Sequence, residues 1–257
     1  YDKCLAVKGP EGVFGVGNYN LVLKDSAGVK DVFNLWFLDS NAYDTENGGY
    51  DYVHDDQIAW YETTSAALAQ ANGGLPLPSV LFQHICVPEM YDLLVPSKLP
   101  GIYSVQGNGT YSDRFWKLDP GNSTIEGGLW EPPCPSGTNN GQFDSWKAMG
   151  DVRLAIFGHD HSNNFSGEVD GIRLMFAGVA GLAAYGNGAN HQASLITIDE
   201  ATQTAQRENI KFVDVVGPKF KHFGFFDYFE QDCWRSLLRF DPRPFIKCLK
   251  MAVAATF

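Results

Sequence analysis

The stretch Val32-Phe-Asn-Leu-Trp-Phe-Leu38 constrains the fold more than any other part of this chain. It is apolar on both alternating sets of positions and ends at Asp39-Ser40. A strand of that kind buries both faces, the habit of parallel sheets covered on either side. Two later segments repeat the pattern. Ser79-Val-Leu-Phe-Gln83 ends at His84, and Asp151 to Phe157 ends at Gly158-His159-Asp160-His161. Between the first two, Ile58, Tyr61, Leu68 and Ala69 recur at helical spacing. The spacing predicts a helix over about Asp55 to Ala71, stopped by Asn72-Gly73-Gly74. Asn20 to Lys24, Ile172 to Ala177 and Ser194 to Asp199 read as further strands. Residues 44–51 and 178–188 read as loops, and 88–140, rich in Pro, Gly, Asn and Ser, as one long irregular stretch. The class is α/β.

Composition narrows what such a fold does. Of 257 residues, 44% are hydrophobic and 19% charged, which supports a packed core. The net charge of -11 leaves no basic excess for a nucleic-acid binder. Phosphorylated small molecules stay open as partners, since a bound metal reverses the local field of an acidic protein. No apolar run approaches the length of roughly 18 residues that spans a bilayer.

The chemistry concentrates at strand ends, where α/β sheets collect ligands. In the Gly158-His159-Asp160-His161 turn, residues two apart point the same general way, so both imidazoles face one cavity. His84 closes a neighbouring strand, and two parallel strands that both end in His bring three imidazoles to one edge. Imidazole suits zinc, iron and manganese. Taken alone, three imidazoles equally describe a mononuclear zinc site with one open position. Asn163, Tyr185 and Gly186 lie near this turn in sequence and are candidate phosphate contacts. No Ser-His-Asp elbow, P-loop or dinucleotide fingerprint occurs.

Leu81-Phe-Gln-His84-Ile-Cys-Val-Pro-Glu89 and Phe157-Gly-His159-Asp-His161-Ser-Asn-Asn-Phe-Ser-Gly167, taken in order, resemble the calcineurin-like metallophosphoesterases, in their purple-acid-phosphatase-like branch. Gly15-Val-Gly17-Asn18-Tyr19-Asn20-Leu21, Asn34 to Ser40 and Gln57 to Trp60 extend the resemblance, which runs from about Gly12 to Asp199. It implies a four-layer α/β/β/α sandwich with two divalent or Fe/Zn/Mn-type ions at the strand ends. His84 and His159 would serve one ion and His161 the other. A metal-bound hydroxide would hydrolyse a phosphate ester of a small molecule or a phosphoprotein.

The departure from that pattern is as informative. The D-x-H, G-D-x-x-D and G-N-H-[D/E] motifs do not occur, so the bridging aspartate, the metal-binding asparagine and the acid-base histidine are missing from this sequence. Two cations roughly 3.5–4 Å apart repel and require anionic bridging ligands, which neutral imidazoles do not provide. Two expectations follow. An N-terminal half of the same fold, as a separate or cleaved piece, completes a hydrolase. Alternatively the chain is a catalytically inactive phosphoesterase-fold protein serving as a binding or structural component. On the first, the strands at Val32–Leu38 and Leu154–Phe157 are expected to lack a neighbour.

Five cysteines and three N-x-S/T sequons, at Asn108, Asn122 and Asn164, favour secretion or the lumen of the secretory or vacuolar system. Cys233 and Cys248 are expected to pair, closing a loop of about 15 residues worth on the order of 3 kcal/mol. Cys86 is expected either buried beside the site or paired with Cys134, and Cys4 bridged to an upstream segment. Residues 1–217 read as the phosphoesterase-like part. Residues 218–257 read as an aromatic-rich tail, whose seven Lys/Arg and four Asp/Glu from Lys219 onward leave it net positive on an acidic protein.

Overall fold

A computed structural model of the chain describes residues 2–98, 103–181, 184–186 and 191–216. The tail beyond residue 216, with Cys233 and Cys248, lies outside the described residues.

The apolar runs form the centre of one sheet. Strands β1 (Tyr19–Lys24), β2 (Asp31–Phe37), β3 (Ser79–Gln83), β7 (Val152–Phe157), β9 (Ile172–Phe176) and β8 (Ser166–Val169) lie side by side in that order. The four inner strands are mutually parallel, and β1 and β8 flank them antiparallel. Register aligns Phe37 with Phe82, Phe82 with Ile156 and Phe157 with Phe176, so the parallel strands finish along one edge of the sheet. The open edges expected at β2 and β7 are not there. β1 pairs with β2 antiparallel, and β9 pairs with β7 in parallel, so each strand has its ladder.

One face is the main core. Trp36, Leu81, Ala155, Phe157, Leu174 and Phe176 bury against Tyr61 of α1 (Asp55–Ala71) and Phe143 and Trp146 of α2 (Gln142–Met149). Helix α1 begins where Gln57 Oε1 accepts the His54 amide (2.9 Å) and acidic Asp55 and Asp56 sit on the positive end of the dipole. It ends at Asn72, after which Gly73 and Gly74 take positive φ, as the sequence predicts. A buried carboxylate ties this layer together. Asp151, 2% exposed, accepts from Trp36 Nε1 (2.8 Å), Ser79 Oγ (2.7 Å) and the Tyr61 hydroxyl (2.5 Å), joining β2, β3, β7 and α1.

Among the described residues, the opposite face is covered only in part. Phe33, Val80, Leu154, Ile156 and Met175 pack beneath Ile196, Ile198 and Ala205 of the hairpin β10–β11 (Gln192–Asp199 and Thr204–Lys211), which forms a sheet of just two strands. Toward the β1 side, Tyr19, Phe37 and Phe82 stack ring on ring, with centroids 4.6 and 5.2 Å apart. They line an open cleft of about 380 Å³ with Ile156, Phe157 and Ala177. The described layers are thus helices, a six-stranded sheet and a two-stranded hairpin, a mixed α/β arrangement consistent with a phosphoesterase-like fold.

Residues 88–140, expected irregular, hold more structure than expected. A 3₁₀ turn at Pro88–Leu93 leads into β4 (Leu94–Ser97), which joins β5 (Val105–Gln106) and β6 (Phe115–Leu118) in a small sheet. Its strands run two to four residues, too short for periodicity to register. Stacking of Tyr91 on Tyr111 (3.6 Å) and the edge of Trp116 on Tyr91 (5.2 Å) hold it instead.

Candidate functional site

The three histidines predicted from sequence gather at the carboxyl edge of the parallel strands. His84 follows β3, and the Gly158 amide donates to the His84 carbonyl (3.1 Å), binding the two strand ends together. A Cβ at 158 would stand 2.9 Å from His84 Nδ1, so a larger residue there would have to push the His84 ring aside. His159 follows with a left-handed φ of 64°, a conformation that costs a non-glycine residue energy and recurs at functional sites. That turn brings the His159 ring within 5.2 Å of the His84 ring, edge to face. His161 lies close enough to disfavour charge on both.

Burial holds His159 down to about 4, with the neighbouring imidazoles of His84 and His161 adding to it and Glu131 opposing. His84 is lowered for the same two reasons, burial first and then His161. At mild pH, His159 is therefore a neutral nitrogen donor.

A latch fixes the turn. Asn163, fully buried, accepts the amides of Trp130 (2.8 Å) and Glu131 (3.2 Å) on Oδ1 and donates through Nδ2 to the Glu131 carbonyl (2.9 Å). Glu131 Oε1 accepts the Ser162 amide (2.6 Å), and Asp160 Oδ2 accepts the Cys134 amide (3.1 Å). Asn163 is thereby corrected from a phosphate contact to a structural residue, because both ends of its amide are spent on residues 130–131. A Cβ at Gly186 would meet Val179 at 2.4 Å. Tyr185 does stand at the site. Its ring stacks on His161 (4.4 Å), and His161 Nδ1 contacts its carbonyl oxygen (3.1 Å). Burial first, then Glu131 and Asp160, push its phenol well above the usual range.

Glu131 and Tyr50 carry no sequence signal as site residues; only their contacts reveal them. Tyr50 meets His159 edge to face at 4.3 Å. Cys86 and Cys134 are both free thiols, which corrects their pairing. Cys86 is buried in the main core, where burial first and then Asp160 and Cys134 raise its thiol, while Cys134 Sγ lies 3.2 Å from the Pro132 carbonyl. Cys4 is an exposed free thiol. Of the sequons, Asn164 is tied at both ends, Oδ1 to Gly128 N (2.9 Å) and Nδ2 to Gln192 Oε1 (3.0 Å). Asn122 Nδ2 donates to the Glu168 carbonyl (3.2 Å), and Asn108 begins a 3₁₀ turn whose amide reaches Tyr91.

Among the described residues, no three His, Cys, Asp or Glu side chains converge as a metal-holding group. The side chains nearest one another are imidazoles, and the carboxylates at the edge make other hydrogen bonds. Asp160 holds Cys134, and Asp39 accepts the amides of Val16 (2.7 Å) and Asn41 (2.9 Å). Such a set does not fit a two-metal centre, whose mutually repelling ions need anionic bridges. Asn18, in the Gly-Asn pair just before β1, is a buried hub that accepts from Asp39 N (3.0 Å) and Gln57 Nε2 (2.8 Å).

No protein-family model matches the chain. Individual relatives do. It is 31% identical over 198 residues to "Probable inactive purple acid phosphatase 29" of Arabidopsis thaliana, covering 72% of this chain and 44% of that protein. "Probable inactive purple acid phosphatase 14" of the same plant is 30% identical over 179 residues, 67% of this chain and 40% of the relative. "Probable inactive purple acid phosphatase 28" is 24% identical over 188 residues, 71% and 41%. The chain spans less than half the length of each. Similarity that long, carried on a strand-end His84 and a Gly158-His159-Asp160-His161 turn, places this chain in the purple-acid-phosphatase-like branch.

Proposed function

We propose that this chain is a catalytically inactive phosphoesterase-fold protein whose histidine pocket serves binding within a larger assembly. The observation that carries the reading is the donor set: His84, His159 and His161 gather without a carboxylate free to bridge two cations. The names of the relatives, each a "probable inactive" phosphatase, support it. A phosphorylated small molecule or phosphoprotein is the partner class the fold suggests, and the secretory or vacuolar lumen is the compartment that sequons and cysteines suggest. Glycans on Asn108 and Asn122 and a Cys233–Cys248 disulfide belong to the same proposal.

A second reading has its own support. The incompletely covered face at Tyr19, Phe37 and Phe82 suits a further polypeptide layer, and an N-terminal half placed there would bring the missing aspartates and restore hydrolysis of phosphate esters. Assay of the natural protein, together with any polypeptide that accompanies this chain, with 4-nitrophenyl phosphate and added zinc, iron or manganese separates the two. We expect no turnover above that of a His159→Ala control. Metal-dependent hydrolysis that His159→Ala abolishes would overturn the inactive reading.

A further inference from the structure

A second pocket lies at the carboxyl edge of the strands, beside the histidines and separate from them. Ser40 after β2, residues 51–53, residues 85–89 after β3 and residues 136–142 at the start of α2 surround a chamber of about 20 Å³, room for one ion or one water. Gln83 and Ile85, the chain neighbours of His84, line it. Among the described residues that line it there are two carboxylates and no Lys, Arg or His side chain. Asp51, 8% exposed, uses Oδ1 to accept the Tyr52 amide (2.9 Å) and to meet His54 Nε2 (3.0 Å). Glu89 Oε1 accepts Asn139 Nδ2 (2.7 Å), whereas Glu89 Oε2 is buried with no hydrogen-bond partner. Burial pushes the Glu89 carboxyl up, against the pull of that one hydrogen bond.

A buried polar atom left unpaired in a native fold calls for an occupant beside it. The side-chain amides around the chamber do not supply one, because their nitrogens are spent. Asn140 Nδ2 donates to the Val53 carbonyl (2.9 Å) and Asp55 Oδ1 (2.8 Å), Gln83 Nε2 to the Ile85 carbonyl (2.8 Å), and Gln142 Nε2 to Gln83 Oε1 (2.7 Å). These partners are all oxygens, so they fix which end of each amide is the donor. The ends left over are oxygens. Ser40 Oγ adds another and accepts only the Ile85 amide (2.8 Å) from the backbone. A water must balance its two protons against donors to its lone pairs, and a chamber rich in acceptors serves it poorly. A cation is satisfied by acceptors alone. Oxygen ligands without imidazole suit a hard ion, and two carboxylates suit a divalent one. Room for a single guest disfavours magnesium, which keeps several of its waters.

We propose that this chamber is a calcium site, with Glu89 and Asp51 supplying charge and Ser40, Asn140 and Gln142 supplying neutral oxygens. The ion would tie the loop after β2 and the start of α2 to the turn that carries His84. Its role is to brace that turn, and it touches none of the three histidines.

The test uses the natural protein, together with any polypeptide that accompanies this chain, freed of metal by a chelator and titrated with calcium, magnesium and terbium. Tyr52 lines the chamber, so terbium emission excited through aromatic rings reports occupancy. One equivalent of calcium is expected to bind, to displace terbium and to raise the unfolding midpoint by about 5–10 °C at a hundredfold excess over Kd. Magnesium should bind at least about tenfold more weakly. Glu89→Gln should weaken calcium binding at least about tenfold and yet unfold no earlier than the natural protein in chelator, since it removes an unpaired carboxylate. His159→Ala should leave calcium binding unchanged. No calcium or terbium binding would overturn the proposal and leave the chamber to water or to a protonated Glu89. Binding untouched by Glu89→Gln, or abolished by His159→Ala, would overturn it too. Should Glu89→Gln fail to fold, the anomalous signal of terbium in crystals of the natural protein decides. A peak in the chamber upholds the site, and a peak elsewhere or none sinks it.

Discussion

At the scale of single residues, the site is governed by burial and by like charges. His159 sits at a left-handed φ between two other imidazoles, and desolvation with those neighbours holds it near 4. An imidazole lowered in the folded state makes stability depend on pH in a fixed direction. The unfolded chain binds the proton first, so the contribution is present above about 6.5 and is lost as pH falls toward 4. Proton NMR of the histidine ring signals should place His159 well below the ordinary imidazole midpoint, and His159→Asn should flatten the stability profile between pH 6.5 and 4. A His159 midpoint near 6.5 would show that the pocket is solvated and that the imidazoles stand apart.

At the scale of elements, the sheet depends on one buried carboxylate at the start of β7. Asp151 satisfies Trp36 of β2, Ser79 of β3 and Tyr61 of α1, and its removal strands all three donors in a dry layer. Each unsatisfied buried donor costs about 1–3 kcal/mol, so Asp151→Ala should destabilise the fold by roughly 3 kcal/mol or more in urea unfolding. Asp151→Asn, which keeps one acceptor, should cost less. Equal stability of the alanine variant would mean that water enters this layer. The same elements show what was legible beforehand. Helix α1, with its glycine stop, and strands β2, β3, β7 and β9 were readable because continuous apolar runs and helical spacing are local signals. So were His84, His159 and His161, which stand at the ends of those runs. Glu131 and Tyr50 were not, because they reach the pocket from loops far away in sequence, and Asn163 was misread because its amide partners lie 32 and 33 residues earlier. The small sheet β4–β6 escaped since strands of two to four residues have no period to detect.

At the scale of the molecule, the two faces of the main sheet are unequal. The helix side buries Trp36, Phe157 and Phe176 completely, whereas the other side leaves Phe37 and Phe82 half-buried along an open cleft beside a hairpin of two strands. A contiguous aromatic ladder facing water favours association, since burying apolar area returns roughly 25 cal/mol per Å². Two substitutions compare the faces. Phe157→Ala removes a fully buried ring and should cost about 3–5 kcal/mol. Phe37→Ser removes a ring that neighbours contact on one side only, so its cost in urea unfolding should be less than half as large. In sedimentation velocity, the unmodified full chain should self-associate with rising concentration, and Phe37→Ser together with Phe82→Ser should shift it toward monomer. If Phe37→Ser proves as destabilising as Phe157→Ala, the ladder is already covered within the chain, and a further layer supplied by another polypeptide loses its docking face. If instead the double variant stays monomeric and folded where the unmodified chain associates, the uncovered ladder is the surface through which this protein joins its partner.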